Sequence, residues 1–432
     1  MSHFNRTNRR QFLRTSAAAG AAAAFAAPAL LHAASPNEKL NIAAVGVAGR
    51  AAANVAGVAS ENIVAICDVD EQRLDGAAGK FPKAKKFVDF RKMLTETEKQ
   101  IDAVVVGTPD HIHMPAGVMA MRMGKHCYAE KPLAHNVYDA RVAAELAKEK
   151  KLATQMGTQI HAGNNYRRVV EMIGAGAIGP VHEVHVWCGK NWGGGRRPAD
   201  TPPVPKTLHW DLWLGPAPER PYHSCYLPGN WRRWWDFGNG TLGDMACHYM
   251  DLPFWALDLR HPTSIESEGP PVDPEGCPEK LIVRYEFPAR GDMPPVKFTW
   301  YDGTNRPSLP EEWGIPVGGS GVLFVGKEGQ MRADYGSWSL YPKKKFADYE
   351  PPEPTIPNSI GHHKEWIEAC KTGSETTCNF NYSGALSEAV LLGNVAFRVG
   401  KKLDWDGAKM KATNCPEADQ YLRREYRKGW TL

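Results

Sequence analysis

The sequence predicts an α/β protein with two parts: an N-terminal doubly wound parallel sheet, and a C-terminal α+β domain built on a large, mainly antiparallel open sheet. Three observations carry this reading. Between residues 38 and 158, short apolar runs alternate with helix-like segments, the pattern of a parallel sheet with crossover helices. Later apolar runs follow one another without a helix each time, which suits antiparallel pairing. Long loops separate them, in keeping with 41 Gly and 33 Pro among 432 residues.

The first element is an address rather than a fold. Residues 6–14 read RTNRRQFLR, and an Ala-rich apolar stretch over 17–31 ends in small residues before Ser35-Pro36. A basic start, a short apolar run and a small-residue cleavage zone make residues 1–35 an export signal. The Arg9-Arg10 pair followed by Gln11-Phe12-Leu13 resembles the twin-arginine signal, with Asn8 where Ser is usual and Arg14 where Lys is usual. Such signals carry folded proteins, so a periplasmic or otherwise exported location is expected. No later segment has the length of apolar sequence that a membrane span needs, so stable membrane insertion is not expected once the signal is removed.

The next segment, 38–158, opens with LNIAAVGV at 40–47, followed by Ala-rich helix. IVAICD at 63–68 and IDAVVV at 101–106 are further strands, and 91–98, 115–124 and 137–150 are helices. In 159–432, strands are expected at 181–187, 281–287, 296–300 and 322–325. Helices at 163–175, 243–257, 361–371 and 383–399 would cover one face of that sheet. A Trp-rich insertion, about 188–240, interrupts the pattern.

Composition excludes several classes. With 43% hydrophobic residues the chain can bury sizeable cores, and 52 Lys+Arg against 48 Asp+Glu leaves a scattered net charge of +4. No nucleic-acid partner is expected from that balance. Nine Cys with no C-x-x-C pair indicate neither a zinc ribbon nor a disulfide scaffold. Asp244, His248 and Asp251 share no zinc spacing, and no metal is expected.

The strand-to-helix turn Gly46-Val47-Ala48-Gly49-Arg50-Ala51 is a dinucleotide-binding signature in which Ala48 and Ala51 hold the second and third glycine places. Asp68 ends the next strand, where a carboxylate accepts hydrogen bonds from the adenosine ribose. Asp68, with Asp70 close by, repels a 2′-phosphate, so NAD is favoured. Arg50 softens that preference and leaves NADP open.

Three further segments carry a family resemblance. Gly107-Thr108-Pro109 with His113 follows the third strand, Ala129-Glu130-Lys131-Pro132 follows the next, and Gly243-Asp244 with His248 opens a later helix. Together with the glycine turn they resemble the Gfo/Idh/MocA family of nicotinamide-dependent sugar and polyol oxidoreductases, over about residues 38–405. The resemblance implies a Rossmann-type first domain and a homo-oligomer. It also implies that Thr108, Pro109, His113, Glu130, Lys131 and Pro132 face the cofactor with Gly46, Ala48, Gly49, Arg50 and Asp68. Lys131 becomes the carbinol-binding and proton-relay residue, His248 the acid/base, and Asp244 the group that orients substrate and His248. The expected reaction removes a hydroxyl proton while hydride leaves carbon for nicotinamide. His161 and Tyr166 fall where the family places substrate contacts.

Eight of the 14 Trp fall between Trp187 and Trp255. Aromatic faces stack on sugar C–H surfaces, so Trp192, Arg232, Trp235 and Asp236 are expected to line a carbohydrate subsite; the alternative is a locked loop or a subunit contact. The leading expectation is an exported oxidoreductase acting on a sugar, glycoside or cyclic polyol with tightly held NAD. The alternatives are an NAD-dependent glycosidase working through transient C3 oxidation and elimination, and a sugar-binding protein without turnover.

Overall fold

The computed structural model describes residues 38–432, so the signal assigned to residues 1–35 lies outside the described residues. The N-terminal sheet has six strands: β1 (Asn41–Val45), β2 (Asn62–Cys67), β3 (Lys85–Phe87), β4 (Ala103–Val106), β5 (His126–Ala129) and β6 (Thr154–Met156). Their order is β3-β2-β1-β4-β5-β6 and every pairing is parallel. The order reverses between β1 and β4, and ligands bind outside the strand ends at such a point.

The helices between these strands are α1 (Arg50–Gly57), α2 (Glu71–Lys80), α3 (Phe90–Thr97), α4 (Asp110–Arg122) and α5 (Val137–Glu149). They explain why the strands read as unbroken apolar runs, since both faces of the sheet are covered. Ala43, Val45, Val104 and Val106 pack with Met93, Met114 and Ala140 on one side. Ile42, Ala44, Ala103 and Val105 pack with Val55 and Leu74 on the other. Trp366 and Ile367, from a helix much later in the chain, complete that second face. The helix expected at 115–124 begins at Asp110 instead, because Pro109 has the φ of −58° that leads into a helix and Pro115 is accommodated within it.

The second sheet has nine strands in the order β13-β12-β11-β7-β10-β9-β8-β14-β15. Its centre is β7 (Val181–Cys188), β8 (Ser264–Glu268), β9 (Ile282–Phe287), β10 (Val296–Asp302) and β11 (Ser320–Gly326), with β12 (Gln330–Ala333), β13 (Trp338–Tyr341), β14 (Leu403–Asp406) and β15 (Lys411–Ala412) outside. Only β7 and β10 pair in parallel. Helices α6 (Asn164–Gly174), α8 (Gly240–Tyr249), α9 (Asp251–Ala256) and α11 (Phe380–Val399) serve this half, while α10 (His362–Thr372) turns back onto the first sheet. The short α7 (Trp210–Leu214) lies in the Trp-rich segment. One helix expected at 243–257 is two, α8 and α9, because Pro253 has no N–H to bond the Tyr249 carbonyl.

α11 is buried along nearly its whole length and lies between the two halves. Arg141 of α5 makes a bidentate pair with Glu388 of α11, and the Leu133 N–H donates to Ser387 Oγ at 3.2 Å. A helix buried on every side demands cover all round, and α5 and β6 of the first half with α8 and β8 of the second supply it.

Candidate active site

The strand ends of the first sheet and the face of α8 that carries Asp244 and His248 enclose one cavity of about 770 Å³. Its floor is the β1–α1 turn. Gly46 has φ +82°, and a Cβ there would stand 3.0 Å from the Gly107 carbonyl, so glycine is required. Ala51 replaces the third glycine of the usual pattern; the helix still packs closely because Gly107 gives way, a Cβ on it falling 2.5 Å from that of Ala51. α1 has no side-chain cap and no acidic residue in its first turn, whereas α2, α3 and α5 are capped by Asp70, Asp89 and Asn136. Its N–H groups are left for an anion such as a pyrophosphate.

At the end of β2, the Asp68 carboxylate accepts from Val47 N at 3.2 Å and from Asp70 N at 3.1 Å. Burial raises its pKa despite these bonds. Asp70 and Asp89 join it on the cavity wall, with Arg73 paired to Asp70 at 3.3 Å. The bare helix end and the cavity volume fit a dinucleotide.

The other end of the cavity gathers residues from both halves of the chain. Lys131, after β5, donates through Nζ to Asp244 Oδ1 at 2.5 Å and to the Asp244 main-chain oxygen at 2.8 Å. Arg232 Nε donates to the same Oδ1 at 2.6 Å. Burial alone would raise the Asp244 carboxyl, but the two cations overcome it and hold the group well below the usual carboxylate range. His248, one turn further along α8, has its pKa pushed down to about 3, first by burial and then by Lys131, and its Nδ1 has no partner. The ring is therefore neutral at working pH. Arg50 Nε and Asn54 Nδ2 both donate to Glu130 Oε1, at 3.0 and 2.8 Å, which fixes the start of α1 against the Glu130-Lys131 turn.

Most of the expected site residues meet here: Gly46, Ala48, Gly49, Arg50, Asp68, Thr108, Pro109, His113, Glu130, Lys131, Trp192, Arg232, Asp244 and His248 all line the cavity. Pro132 stands just behind it, its carbonyl 2.8 Å from His113 Nδ1, while His113 Nε2 lies 2.8 Å from the Thr108 carbonyl. His161 and Tyr166 are buried beneath. Tyr166 OH donates to the His248 carbonyl at 2.9 Å, and His161 Nδ1 lies 2.9 Å from Asp251 Oδ1. Cys378 is near enough to complete a group of three ligand-type atoms within 4.8 Å. Yet His161 Nδ1 and Asp251 are engaged with each other, and Tyr382 OH donates to the same carboxylate at 2.8 Å.

Trp235 and Asp236 lie outside the cavity and correct the carbohydrate role expected for them. Trp235 is buried against Phe397 and Arg398, its Nε1 donating to the Asp273 carbonyl at 3.0 Å. Asp236 pairs with Arg220 and Arg424. The 3₁₀ turn Asn230–Arg233 turns Trp231 and Arg232 toward the cavity, and the chain beyond it enters the core.

Residues not anticipated include Trp231, Gln159 and a roof over the Asp68 end of the cavity, which would meet the adenosine of a dinucleotide bound at the Gly46 turn. Thr207 O accepts from Glu71 N and Val69 O from His209 N, both at 2.9 Å, which docks the Trp-rich segment on the β2–α2 turn. Leu208, Leu212 and Trp213 then face the cavity, joined by Trp430, which lies beneath the Arg91 guanidinium at 4.0 Å. Trp430 has no local sequence signal that ties it to a site. No helix among the described residues is long and apolar enough to cross a membrane.

Fold and site together define a two-domain dinucleotide-binding protein. Residues 40–158 match the oxidoreductase family's NAD-binding Rossmann fold, residues 164–290 its C-terminal alpha/beta domain, and residues 6–26 the twin-arginine translocation signal. The chain belongs to the Gfo/Idh/MocA oxidoreductase family and carries a twin-arginine export signal. It is 29% identical over 154 residues to inositol 2-dehydrogenase of Salmonella typhimurium, covering 34% of this chain and 44% of that one. Inositol 2-dehydrogenase 1 of Saccharopolyspora erythraea is 34% identical over 136 residues, 30% of this chain and 39% of that one. The chain thus spans less than half the length of these curated relatives. Among solved structures, the WlbA dehydrogenase of Bordetella pertussis, in complex with NADH and UDP-GlcNAcA, aligns with a TM-score of 0.61 at 16% identity over 86% of this chain and 98% of that one. Levoglucosan dehydrogenase, with NADH and levoglucosan, aligns at 0.58 and 16% over 85% and 99%. These likenesses concern the fold.

Proposed function

We propose that the protein is an exported NAD-dependent oxidoreductase that interconverts a secondary alcohol of a sugar, glycoside or cyclic polyol and the corresponding ketone. The observation that carries this reading is the meeting of Lys131 with Asp244 and His248 in one cavity, the first from the dinucleotide-binding half and the others from α8. Bound over the Gly46 turn, NAD supplies the hydride acceptor. The chain supplies the rest. The Lys131 ammonium donates to the carbinol oxygen and favours negative charge there. Neutral His248 takes the hydroxyl proton, which a charged imidazole would be unable to do. Asp244 orients Lys131 and accepts from a neighbouring hydroxyl, while Trp192 and Trp231 offer ring faces for the sugar.

The related enzymes named above act on inositol and levoglucosan, which favours a cyclic polyhydroxylated substrate here. A second reading draws on the roof over the adenosine end. A cofactor so enclosed suits a net reaction that returns it to its starting state, as in a glycosidase that oxidises C3, eliminates the aglycone and re-reduces the ketone.

The test uses purified holoenzyme with a panel of cyclic polyols and glycosides in deuterated water, following nicotinamide absorbance and products together. A lasting absorbance change with a ketone product supports the dehydrogenase. Aglycone release with deuterium at C2 and no net cofactor change supports the glycosidase. Lys131→Met lowers turnover roughly 10²–10⁴-fold in either case, and undiminished turnover in that variant overturns both.

A further inference from the structure

Two cations converge on one atom of the site. Lys131 Nζ and Arg232 Nε stand 2.5 and 2.6 Å from Asp244 Oδ1. Arg232 is fastened there independently of Lys131. Its guanidinium lies 4.3 Å from the Trp231 ring and 5.8 Å from that of Trp192, and its Nη1 donates to the Gly229 carbonyl at 3.2 Å. One cation suffices to pair one carboxylate, and a second within reach of the first repels it. The arrangement has a rationale if the first cation must leave.

In the proposed reaction Lys131 does leave, in part, because its hydrogen bond is needed at the carbinol oxygen as charge builds there. A buried Asp244 without a partner would oppose that movement strongly. We propose that Arg232 is a positioning residue, the standing counter-cation of Asp244, whose presence lets Lys131 turn from Oδ1 to the substrate oxygen without stranding a buried carboxylate. This role rests on the reading of Lys131 as the carbinol-binding group.

The other charged and titratable groups around Lys131 do not fill this role. Glu130, its chain neighbour, is engaged by Arg50 and Asn54. On α8, His248 is neutral and Cys247 is a buried thiol with its pKa pushed up to about 12. On α4, Asp110 accepts from Asn239 Nδ2 at 3.2 Å, and His113 is held between two carbonyl oxygens. Arg232 is the cation that shares the oxygen on which Lys131 sits. A guanidinium suits the position because it stays charged at every working pH and its fork serves Asp244 and Gly229 together.

The experiment reads Lys131 directly and needs no substrate. The NADH-loaded enzyme is treated with fluorodinitrobenzene at fixed pH, and arylation of Lys131 is followed by peptide mass spectrometry. In Arg232→Gln, Lys131 becomes the sole partner of Asp244, its ammonium is held more firmly, and arylation slows about tenfold or more. Arg232→Lys restores most of the rate. Asp244→Asn, read as an independent variant, frees the amine and speeds arylation above that of the parent. With a turned-over sugar, Arg232→Gln lowers kcat more than it raises KM, and Arg232→Lys recovers part of kcat. An unchanged or faster arylation in Arg232→Gln overturns the proposal, and so does an unchanged rate in Asp244→Asn, which serves if the first variant fails to retain NADH. If arylation responds as expected but no polyol or glycoside is turned over, the dehydrogenase reading fails while the ion triad stands. If turnover is present and arylation is indifferent to Arg232, the reverse holds.

Discussion

Lys131 and Asp244 join the two halves of the molecule through a buried pair, Nζ to Oδ1 at 2.5 Å, at the mouth of the β5 strand end. The pair ties the proposed cofactor site on one sheet to the helix of the other half that carries His248, the proposed acid/base. Disturbing either partner therefore acts on chemistry and on domain alignment together.

Asp68 is expected to set the choice of nucleotide. Asp68→Asn removes charge-assisted hydrogen bonds to the ribose hydroxyls, lowering NADH affinity by about 1.5–3 kcal/mol. The same change removes repulsion toward a 2′-phosphate, so NADPH binding improves relative to NADH. Titrations of both nucleotides by quenching of tryptophan fluorescence check this, and an unaltered NADH/NADPH ratio would contradict the placement of the ribose.

Trp430 is expected to govern release. It lines the cavity and packs on Phe90 and Arg91. Trp430→Ala opens the adenosine end and accelerates NADH dissociation about tenfold or more, equivalent to losing roughly 1.4 kcal/mol or more of retention. Displacement by excess NAD in a stopped-flow instrument measures the rate.

Asp110 is expected to make stability depend on pH. Burial raises its carboxyl to about 7, against the opposing pull of Arg232 and Lys131. Unfolded, the group titrates near the ordinary ~3.9. Between those values the folded chain keeps a proton that the unfolded chain has released, so this group's contribution falls as pH rises from about 4 to about 7. Asp110→Asn keeps an acceptor for the Asn239 amide and removes the titration. Relative to the parent, the variant therefore gains stability between about pH 5 and about pH 8, by at most ~1.4 kcal/mol per pH unit crossed within the window. Urea melts at both pH values test it, and a difference independent of pH would count against a buried carboxyl.

Trp192 and Trp235 are expected to part company. Trp235→Ala leaves a core void and costs about 3–5 kcal/mol of stability, with the sugar KM unmoved. Trp192→Ala, at the cavity wall, raises KM with a smaller loss of stability. Thermal melts and initial rates on the two variants distinguish wall from core.

What was legible in the sequence follows from where regular periodicity exists. β1, β2 and β4 read as apolar runs, which located Gly46, Asp68 and Thr108 at strand ends. Asp244 and His248 are one helical turn apart and share a face, so their convergence on the cavity was also readable. The segment from Trp192 to Asp236 has no repeating period, so nothing in it distinguishes an inward Trp from an outward one. There, Trp231 and Trp235 differ by four positions and face opposite environments. The edge strands β12 to β15 were missed because two to four residues of mixed polarity carry no pattern. Trp430 reaches the site by tertiary packing alone.

The docked Trp-rich segment and Trp430 wall one end of the cavity. Thr207 and His209 hold that segment over the β2–α2 turn, and under the proposed function a chain exported in its folded form is expected to take its dinucleotide along as a passenger. Outside the cytoplasm it is then expected to behave as a resident prosthetic group. Under the proposed reaction, each oxidation is then followed by a reduction at the same address, with a second carbonyl compound, or the substrate's own return journey, closing the cycle.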